Sequence, residues 1–282
     1  MIQDSLFGRH CRFHWDFHTQ HSDPSYWNSI ATRYENWLST QSSSDVAPLK
    51  IPKIIHQIWL GSNLPPASFR QFAHSWKIHN PKCKYYLWTD ENVGKLKLHN
   101  QLLFDSLTNY GAKSDVLRYE LLQQYGGVYV DVDFECLATI PEILFKETFV
   151  GGLQFNGSPE IGNAFLMASQ DSIIINKMIK QCVMPIQEDA FEIFKATGPY
   201  LLSQVLSENL ATPEAFLILP SNYVYPMPSF LASSSQNPHS FITKETFAIH
   251  YWGLSWLPVA KSRLRTRLKK ILKRLFLFLK IS

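Results

Sequence analysis

From residue 51 to residue 257 the chain alternates short apolar runs with longer mixed segments. Ile54-Ile-His-Gln-Ile-Trp-Leu60 reads as a buried strand, closed by Gly61 and the Pro65-Pro66 turn. A helix over 69–78 leads to Asn80-Pro81 and a second strand over 84–88. A polar loop and a helix over 96–107 follow. The next helix spans 114–125, with Ser114 as its N-cap. Gly126-Gly127 ends that helix, and Val128-Tyr-Val-Asp-Val-Asp133 continues as a strand. Alternation of this kind predicts an α/β layer around a mainly parallel sheet. The second half is less regular, with helices over 163–169 and 197–207, and no internal repeat is present.

The two ends differ from this body. Residues 1–50 read as two short helices broken near Asp23-Pro24, ending in a Ser-rich linker at 42–44. His10, His14 and His18 share one face of a helix there, a spacing open to a metal; with no carboxylate or Cys to complete a ligand set, the expected reading is a solvated polar stripe beside Phe13, Trp15 and Phe17. The start lacks a basic segment followed by an apolar one, so no signal peptide is expected. Residues 261–282 carry nine of the chain's 27 basic residues and no acid. The rest is mildly acidic, 18 basic residues against 23 acids, so a nucleic-acid role would rest on the tail alone, and no such partner is expected. Leu264, Leu268, Ile271, Leu272, Leu275 and Leu279 follow helical spacing among those charges. A basic amphipathic helix suits an anionic membrane surface, and its apolar run is too short to span one. A helix docked on the body fits the same pattern. The chain thus divides into a helical extension (1–50), a body (51–260) and the tail helix (261–282).

Composition narrows the class. Of 282 residues, 45% are hydrophobic and 14% aromatic, which excludes a disordered chain. Four cysteines at 11, 83, 136 and 182 form no CxxC pair, which excludes a zinc ribbon or a dense disulfide framework and fits reduced thiols in a cytoplasmic setting.

Asp131-Val132-Asp133 carries the clearest chemistry. A strand ending in two acids places both at the carboxyl edge of the sheet, where open α/β sheets bind ligands. Two carboxylates there suit a hard divalent cation such as Mg2+ or Mn2+. Asp115 and Arg118, three residues apart, share a face of the helix that runs into the same strand.

Four segments occur in an order met in a known group: Ile54-Ile-His-Gln-Ile-Trp-Leu-Gly61, Ser114-Asp-Val-Leu-Arg118, Gly126-Gly-Val-Tyr-Val-Asp-Val-Asp133 and His250-Tyr-Trp-Gly-Leu-Ser-Trp256. The chain resembles glycosyltransferase family 32, the DxD sugar-binding-region enzymes, and the catalytic domains of large clostridial glucosylating toxins. Thr197-Gly-Pro199 and Asn163-Ala-Phe-Leu also fit bacterial members of that family.

The resemblance implies a GT-A (Rossmann-like) nucleotide-sugar domain and a retaining, metal-dependent transferase. It implies that Asp133 ligates Mn2+ or Mg2+, with His250 as a further ligand, and that Asp131 holds the ribose and sugar region. Trp59 would stack on the base of a UDP- or GDP-sugar. Asp115 and Arg118 would bond the donor sugar, and Ser255 and Trp256 would close over the diphosphate. Trp59 and Trp256 also fit core packing, His250 a buried histidine, and Glu135 either a contributor or a loop acid. The acceptor implied is a glycan, a lipid-linked sugar or a protein. Surface-glycan synthesis at the inner face of the membrane is the expected setting. A secreted toxin-like effector and an inactive membrane-binding module are the competing readings.

Overall fold

A computed structural model describes residues 5–11, 24–40 and 48–253, except 157, 186, 213–215 and 233. His14, His18, Ser255, Trp256 and the basic segment 261–282 lie outside the described residues.

The central sheet has the strand order β2-β1-β3-β6-β5-β7. Its strands are β1 (Ile54–Ile58), β2 (Lys84–Trp88), β3 (Gly127–Val130), β5 (Phe149–Phe155), β6 (Pro159–Ala168) and β7 (Leu217–Leu219). Only β6 runs against its neighbours, β3 and β5; the other pairings are parallel. The fold is therefore mixed α/β with a mostly parallel sheet. A second sheet pairs β4 (Phe134–Cys136) with β8 (Ala248–His250). Helices α3 (Ala67–His79), α4 (Asp90–Val93), α5 (Gln101–Ser106) and α6 (Tyr110–Tyr125) fill the first half. The second half adds α7 (Ile173–Gln181), α8 (Ala190–Ala196) and α9 (Pro199–Ser207).

The α6-to-β3 turn fixes where the acids go. Gly126 and Gly127 have φ of +61° and +108°, a region that disfavours any residue with a Cβ. A Cβ on Gly127 would stand 2.5 Å from Ile54 O, and one on Gly126 would stand 2.7 Å from Pro52 Cδ. Glycines alone let the helix turn straight into a strand lying against β1, and β3 then ends at Val130, just before Asp131.

His56 ties this region to the edge strand. Its Nδ1 accepts from the Trp88 indole N–H at 3.0 Å, and its Nε2–H donates to Gly126 O at 2.9 Å. Both nitrogens are satisfied only in the neutral ring, because a proton on Nδ1 would face the indole N–H.

Three expectations change. α6 starts at Tyr110, capped by Asn109, whose side chain accepts from the N–H groups of Gly111 and Ala112; Ser114 lies inside the helix. The apolar segment after Asn163 belongs to β6, not to a helix, since a short, wholly buried run carries no periodicity to separate the two. The helix expected over 96–107 is only α5, the 96–100 stretch instead placing the N–H groups of His99 and Asn100 on Glu120.

In the leader, α1 (Leu6–Arg9) and α2 (Pro24–Thr40) pack into the same core as the sheet through Phe7, Trp27, Ile30 and Tyr34. Arg33 donates to Leu210 O and Thr212 O, and Tyr34 bonds the Tyr223 hydroxyl at 2.9 Å. His10 bonds Tyr34 through Nδ1 at 3.0 Å. Among the described helices, none is long and apolar enough to cross a membrane.

Burial lowers the His56 pKa to about 4 from an ordinary 6.5, the bond to Gly126 opposing it weakly. A depressed folded-state value means the contribution is complete above about pH 6.5 and is lost as pH falls towards 4, roughly 3 kcal/mol in all. Urea unfolding should show the stability gap between wild type and His56→Gln closing by about 2 kcal/mol from pH 7.5 to 4.5. A gap constant over that range would rule out the neutral buried ring as its cause.

Candidate donor and metal site

At the carboxyl edge of β3 the backbone turns through Asp131 and Asp133. Asp131 N–H donates to Ala164 O at 2.8 Å, and the Asp131 carbonyl accepts from Gln57 Nε2 at 3.1 Å. Its carboxylate receives the Tyr129 hydroxyl at 2.6 Å and lies 3.4 Å from Arg118 Nη2. The β4–β8 ladder then closes a long sequence gap. Phe134 pairs with His250 and their rings stack at 4.5 Å, so His250 Nε2 lies 3.1 Å from Asp133 Oδ1. Gly253 N–H donates to Asp133 Oδ2. The intervening Trp252 has φ of +56°, an uncommon state for a residue with a side chain, and its indole N–H is anchored on Met227 O at 2.9 Å. The strained loop folds the end of β8 over the acids.

One ligand atom each from Asp131, Asp133 and His250 lie within 4.8 Å of one another, so one ion could reach all three. Two carboxylates and an imidazole suit a divalent cation of the first transition row or Mg2+. The His250 ring is held by stacking on Phe134 and by Trp252, and its Nδ1 is buried without a hydrogen-bond partner while Nε2 faces Asp133. Burial raises the pKa of Asp131, with Arg118 opposing and Asp133 adding to the rise. Burial would raise Asp133 too, but His250 and the hydrogen bonds from His250 and Gly253 carry it below the ordinary carboxylate value. The pair thus presents anionic oxygen on the side facing His250.

Arg118, 4% exposed, sits between the second pair of acids. Its Nη2 lies 2.9 Å from Asp115 Oδ1, Nη1 donates to Asn163 O at 2.6 Å and Nε to Ser114 O at 3.2 Å. The guanidinium also covers the Tyr129 ring at 4.5 Å. Burial opposes its charge, but facing Tyr129, Asp131 and Asp115 it is held charged more firmly than a free arginine. Asp115 is pushed up to about 6 by burial, against Arg118 and hydrogen bonds from Asn163 and Thr197.

A bulge supplies Asn163. Gly151 lies opposite Leu166 and Gly152 opposite Gly162, so residues 163–165 swing out of the β5 ladder. The Phe165 N–H freed there donates to the Tyr225 hydroxyl at 2.9 Å, and Asn163 Nδ2 reaches Asp115 Oδ1 at 2.9 Å.

Asp115, Arg118, Asp131, Asp133 and His250 therefore converge. Trp59 stands at the same sheet edge, half-buried, its ring 6.0 Å from Phe69 and its indole N–H on Asn63 O. Glu135 lies on β4, half-buried, accepting from the Tyr251 hydroxyl with His239 at 3.4 Å. Sequence reasoning assigned no role to Tyr129, Asn163 or Thr197. Tyr129 stood within the quoted Gly126–Asp133 motif, and the other two stood in quoted motifs, so the signal was present without a geometry to interpret it.

Mn2+ at a hundred times its dissociation constant should add about 2.7 kcal/mol to unfolding stability. That gain should vanish in Asp133→Asn, measured by thermal unfolding with and without the ion. An equal gain in both proteins would place the ion elsewhere.

Residues 66–150 match the family described as "Glycosyltransferase sugar-binding region containing DXD motif", a span that includes Asp115, Arg118, Asp131 and Asp133. The chain is 27% identical over 171 residues to inositol phosphoceramide mannosyltransferase 3 of Schizosaccharomyces pombe, covering 58% of this chain and 47% of that protein. It is 26% identical over 123 residues to Subversion of eukaryotic traffic protein A of Legionella pneumophila, 34% of this chain and 19% of that one. The chain thus spans about half the length of the first and a fifth of the second. Among solved structures, the PaToxG glycosyltransferase aligns with a TM-score of 0.49 at 17% identity, over 67% of this chain and 81% of that one. As the ordered motifs implied, residues 66–150 are similar to the sugar-binding region of the DXD glycosyltransferases.

Proposed function

We propose that the protein transfers a sugar, with retention of configuration, from a UDP- or GDP-sugar to a hydroxyl of a lipid-linked or glycan acceptor, using Mn2+ or Mg2+. The observation that carries this reading is the meeting, at one sheet edge, of the Asp131/Asp133/His250 cluster with the Arg118–Asp115 pair. Asp133 and His250 hold the metal, with Asp131 supporting it and the ribose and sugar region. Such an ion, when bound, neutralises charge on the diphosphate leaving group. Arg118, kept charged among acids and close to Asp131, contributes a fixed positive group towards the same departing phosphate. Asp115 accepts from hydroxyls of the donor sugar. Trp59 offers a half-exposed face for the base. Ser255 and Trp256, beyond the described loop at Gly253, close over the diphosphate.

The lipid-linked acceptor follows from the relative named for a phosphoceramide substrate together with the basic segment 261–282. That segment holds the body at the inner face of an anionic membrane, while α1 and α2 pack into the body's core. A second reading, a toxin-like effector that glycosylates proteins of another cell, is favoured by the Legionella relative.

The decisive assay is nucleoside diphosphate release from a panel of UDP- and GDP-sugars with Mn2+, with chelator, and with Asp133→Asn. Turnover of one donor, abolished by chelator and reduced on the order of a hundredfold or more in the variant, is the expected result. Silence of the folded protein across the panel, with and without lipid acceptors, would remove the catalytic reading. Sedimentation with phosphatidylserine vesicles should capture the full chain at low salt and release it at about 0.5 M salt, where the Debye length falls to a few ångströms. Equal capture by neutral vesicles would argue against the basic segment as the anchor.

A further inference from the structure

Thr197-Gly198-Pro199 has no part in the reading above. It forms the corner between α8 and α9. The N–H groups of Thr197 and Gly198 both donate to Ile193 O at 3.0 Å, which fills that carbonyl's two lone pairs. The Thr197 hydroxyl also lies 3.2 Å from Ile193 O, but it has one hydrogen and a second acceptor, Asp115 Oδ2, at 3.1 Å. A carboxylate outcompetes a carbonyl already engaged twice. The neighbours shape the corner: a Cβ on Gly198 would come within 2.9 Å of Phe194 Cα, and Pro199 opens α9 with no N–H to satisfy.

This bond closes a ring. Asn163 Nδ2 donates to Asp115 Oδ1 and to the Tyr119 hydroxyl, at 2.9 and 3.0 Å. Tyr119 donates to the Thr197 carbonyl at 2.8 Å, and Thr197 returns its hydroxyl to Asp115. All four residues are buried. Asn163 and Arg118 hold Oδ1, and Thr197 holds Oδ2, so the carboxylate is gripped from both sides. The terminal torsion of an aspartate is otherwise broad.

We propose that Thr197 is a positioning residue of the donor site, its hydroxyl fixing the Asp115 carboxylate in the orientation that meets the hydroxyls of the donor sugar. The inference rests on the sugar-binding role given to Asp115.

The charged and titratable groups facing Asp115 are Arg118 and Tyr119 on its own helix, Tyr129 on β3, Asp131 at the end of β3 and Cys182 after α7. All of them remain when the Thr197 hydroxyl is removed. The lost bond is one made to the ionised carboxylate, so its loss favours protonation and moves the acid limb of activity to higher pH.

The test uses the full chain as wild type, Thr197→Val, Thr197→Ser and Asp115→Asn. Calorimetry with Mn2+ compares UDP-glucose with UDP and GDP-mannose with GDP, and nucleoside diphosphate release is followed from pH 5 to 9. Thr197→Val should bind the sugar nucleotide about tenfold more weakly and the free diphosphate within about twofold of wild type. Thr197→Ser should restore the sugar nucleotide to within about threefold, and the acid limb should rise in the valine variant alone. Should valine prevent folding, Thr197→Ala carries the same comparison. Equal weakening of both ligands, no weakening of either, or no rescue by serine would overturn the role of Thr197. Asp115→Asn binding the sugar nucleotide as well as wild type would overturn the role of Asp115, and this inference with it. A loss in Asp115→Asn with none in Thr197→Val overturns only the latter. Failure of wild type to bind either sugar nucleotide removes both readings.

Discussion

A guanidinium taken almost wholly out of water is the constraint around which this site is organised. Arg118 loses its hydration on the inner face of α6, and the cost of burying an isolated charge there is several kcal/mol. It is offset because each of the three guanidinium nitrogens faces an acceptor: Nε Ser114 O, Nη1 Asn163 O, and Nη2 Asp115 and, at longer range, Asp131. Each partner comes from a different structural decision. Ser114 and Asp115 come from α6 itself, Asn163 from the β6 bulge, and Asp131 from the abrupt end of β3. Moving any one of these elements by a residue would leave a buried charge with a missing partner, so the ion network fixes the relative register of helix and sheet. It also leaves the carboxylates in excess. Asp115, Asp131 and Asp133 face one arginine and one imidazole, and the surplus negative charge is concentrated where Asp131, Asp133 and His250 converge. A divalent cation is what that surplus attracts.

Much of this could be read before any coordinates. The strand starting at Ile54, the strand at 84–88 and the Gly-Gly turn appear where the apolar runs and turn residues put them, but β1 stops at Ile58 rather than Leu60, and β3 stops at Val130, so Asp131 and Asp133 lie on the turn after the strand and not within it. They were legible because each carries a local signature: an apolar run of strand length, or glycines where only positive φ will serve. The bulge at 163–165 left no such mark. Asn163-Ala-Phe-Leu-Met-Ala is apolar enough to be a helix or a strand, and what decides is Tyr225, some sixty residues away, whose hydroxyl takes the N–H that the bulge releases. Asn109 displaced Ser114 as helix cap for a similar reason. Both residue types cap helices well, and the choice depends on where the chain leaves α5, which no short window records.

Partnerships across long separations were hidden for a physical reason too. His250 reaches Asp133 only because β8 pairs with β4, and those three-residue strands are too short to announce themselves by alternation. Thr197 and Asp115 meet across 82 residues through a helix corner. In each case the residue type was visible, but its partner was set by tertiary packing. Ordered motifs carried information that single residues could not, since four segments in a fixed order imply one surface even when the contacts between them cannot be drawn.

The two halves of the site are held by different means, and that difference bears on how the site works. The Asp115–Arg118 half is enclosed: its side chains are buried, their bonds return to one another, and the surrounding helices leave them little freedom. The Asp133–His250 half rests on a two-stranded ladder and on a loop whose Trp252 sits in a strained backbone state. Strain of that kind persists where neighbouring contacts over-determine it, here the indole bond to Met227 O and the Gly253 bond to Asp133. A rigid recognition half beside a half closed by a strained loop separates two tasks that one rigid cradle would serve poorly. On the proposed reading, the donor sugar meets the enclosed half on α6 and the β6 bulge, and the diphosphate meets the half formed by Asp133, His250 and the Trp252 turn.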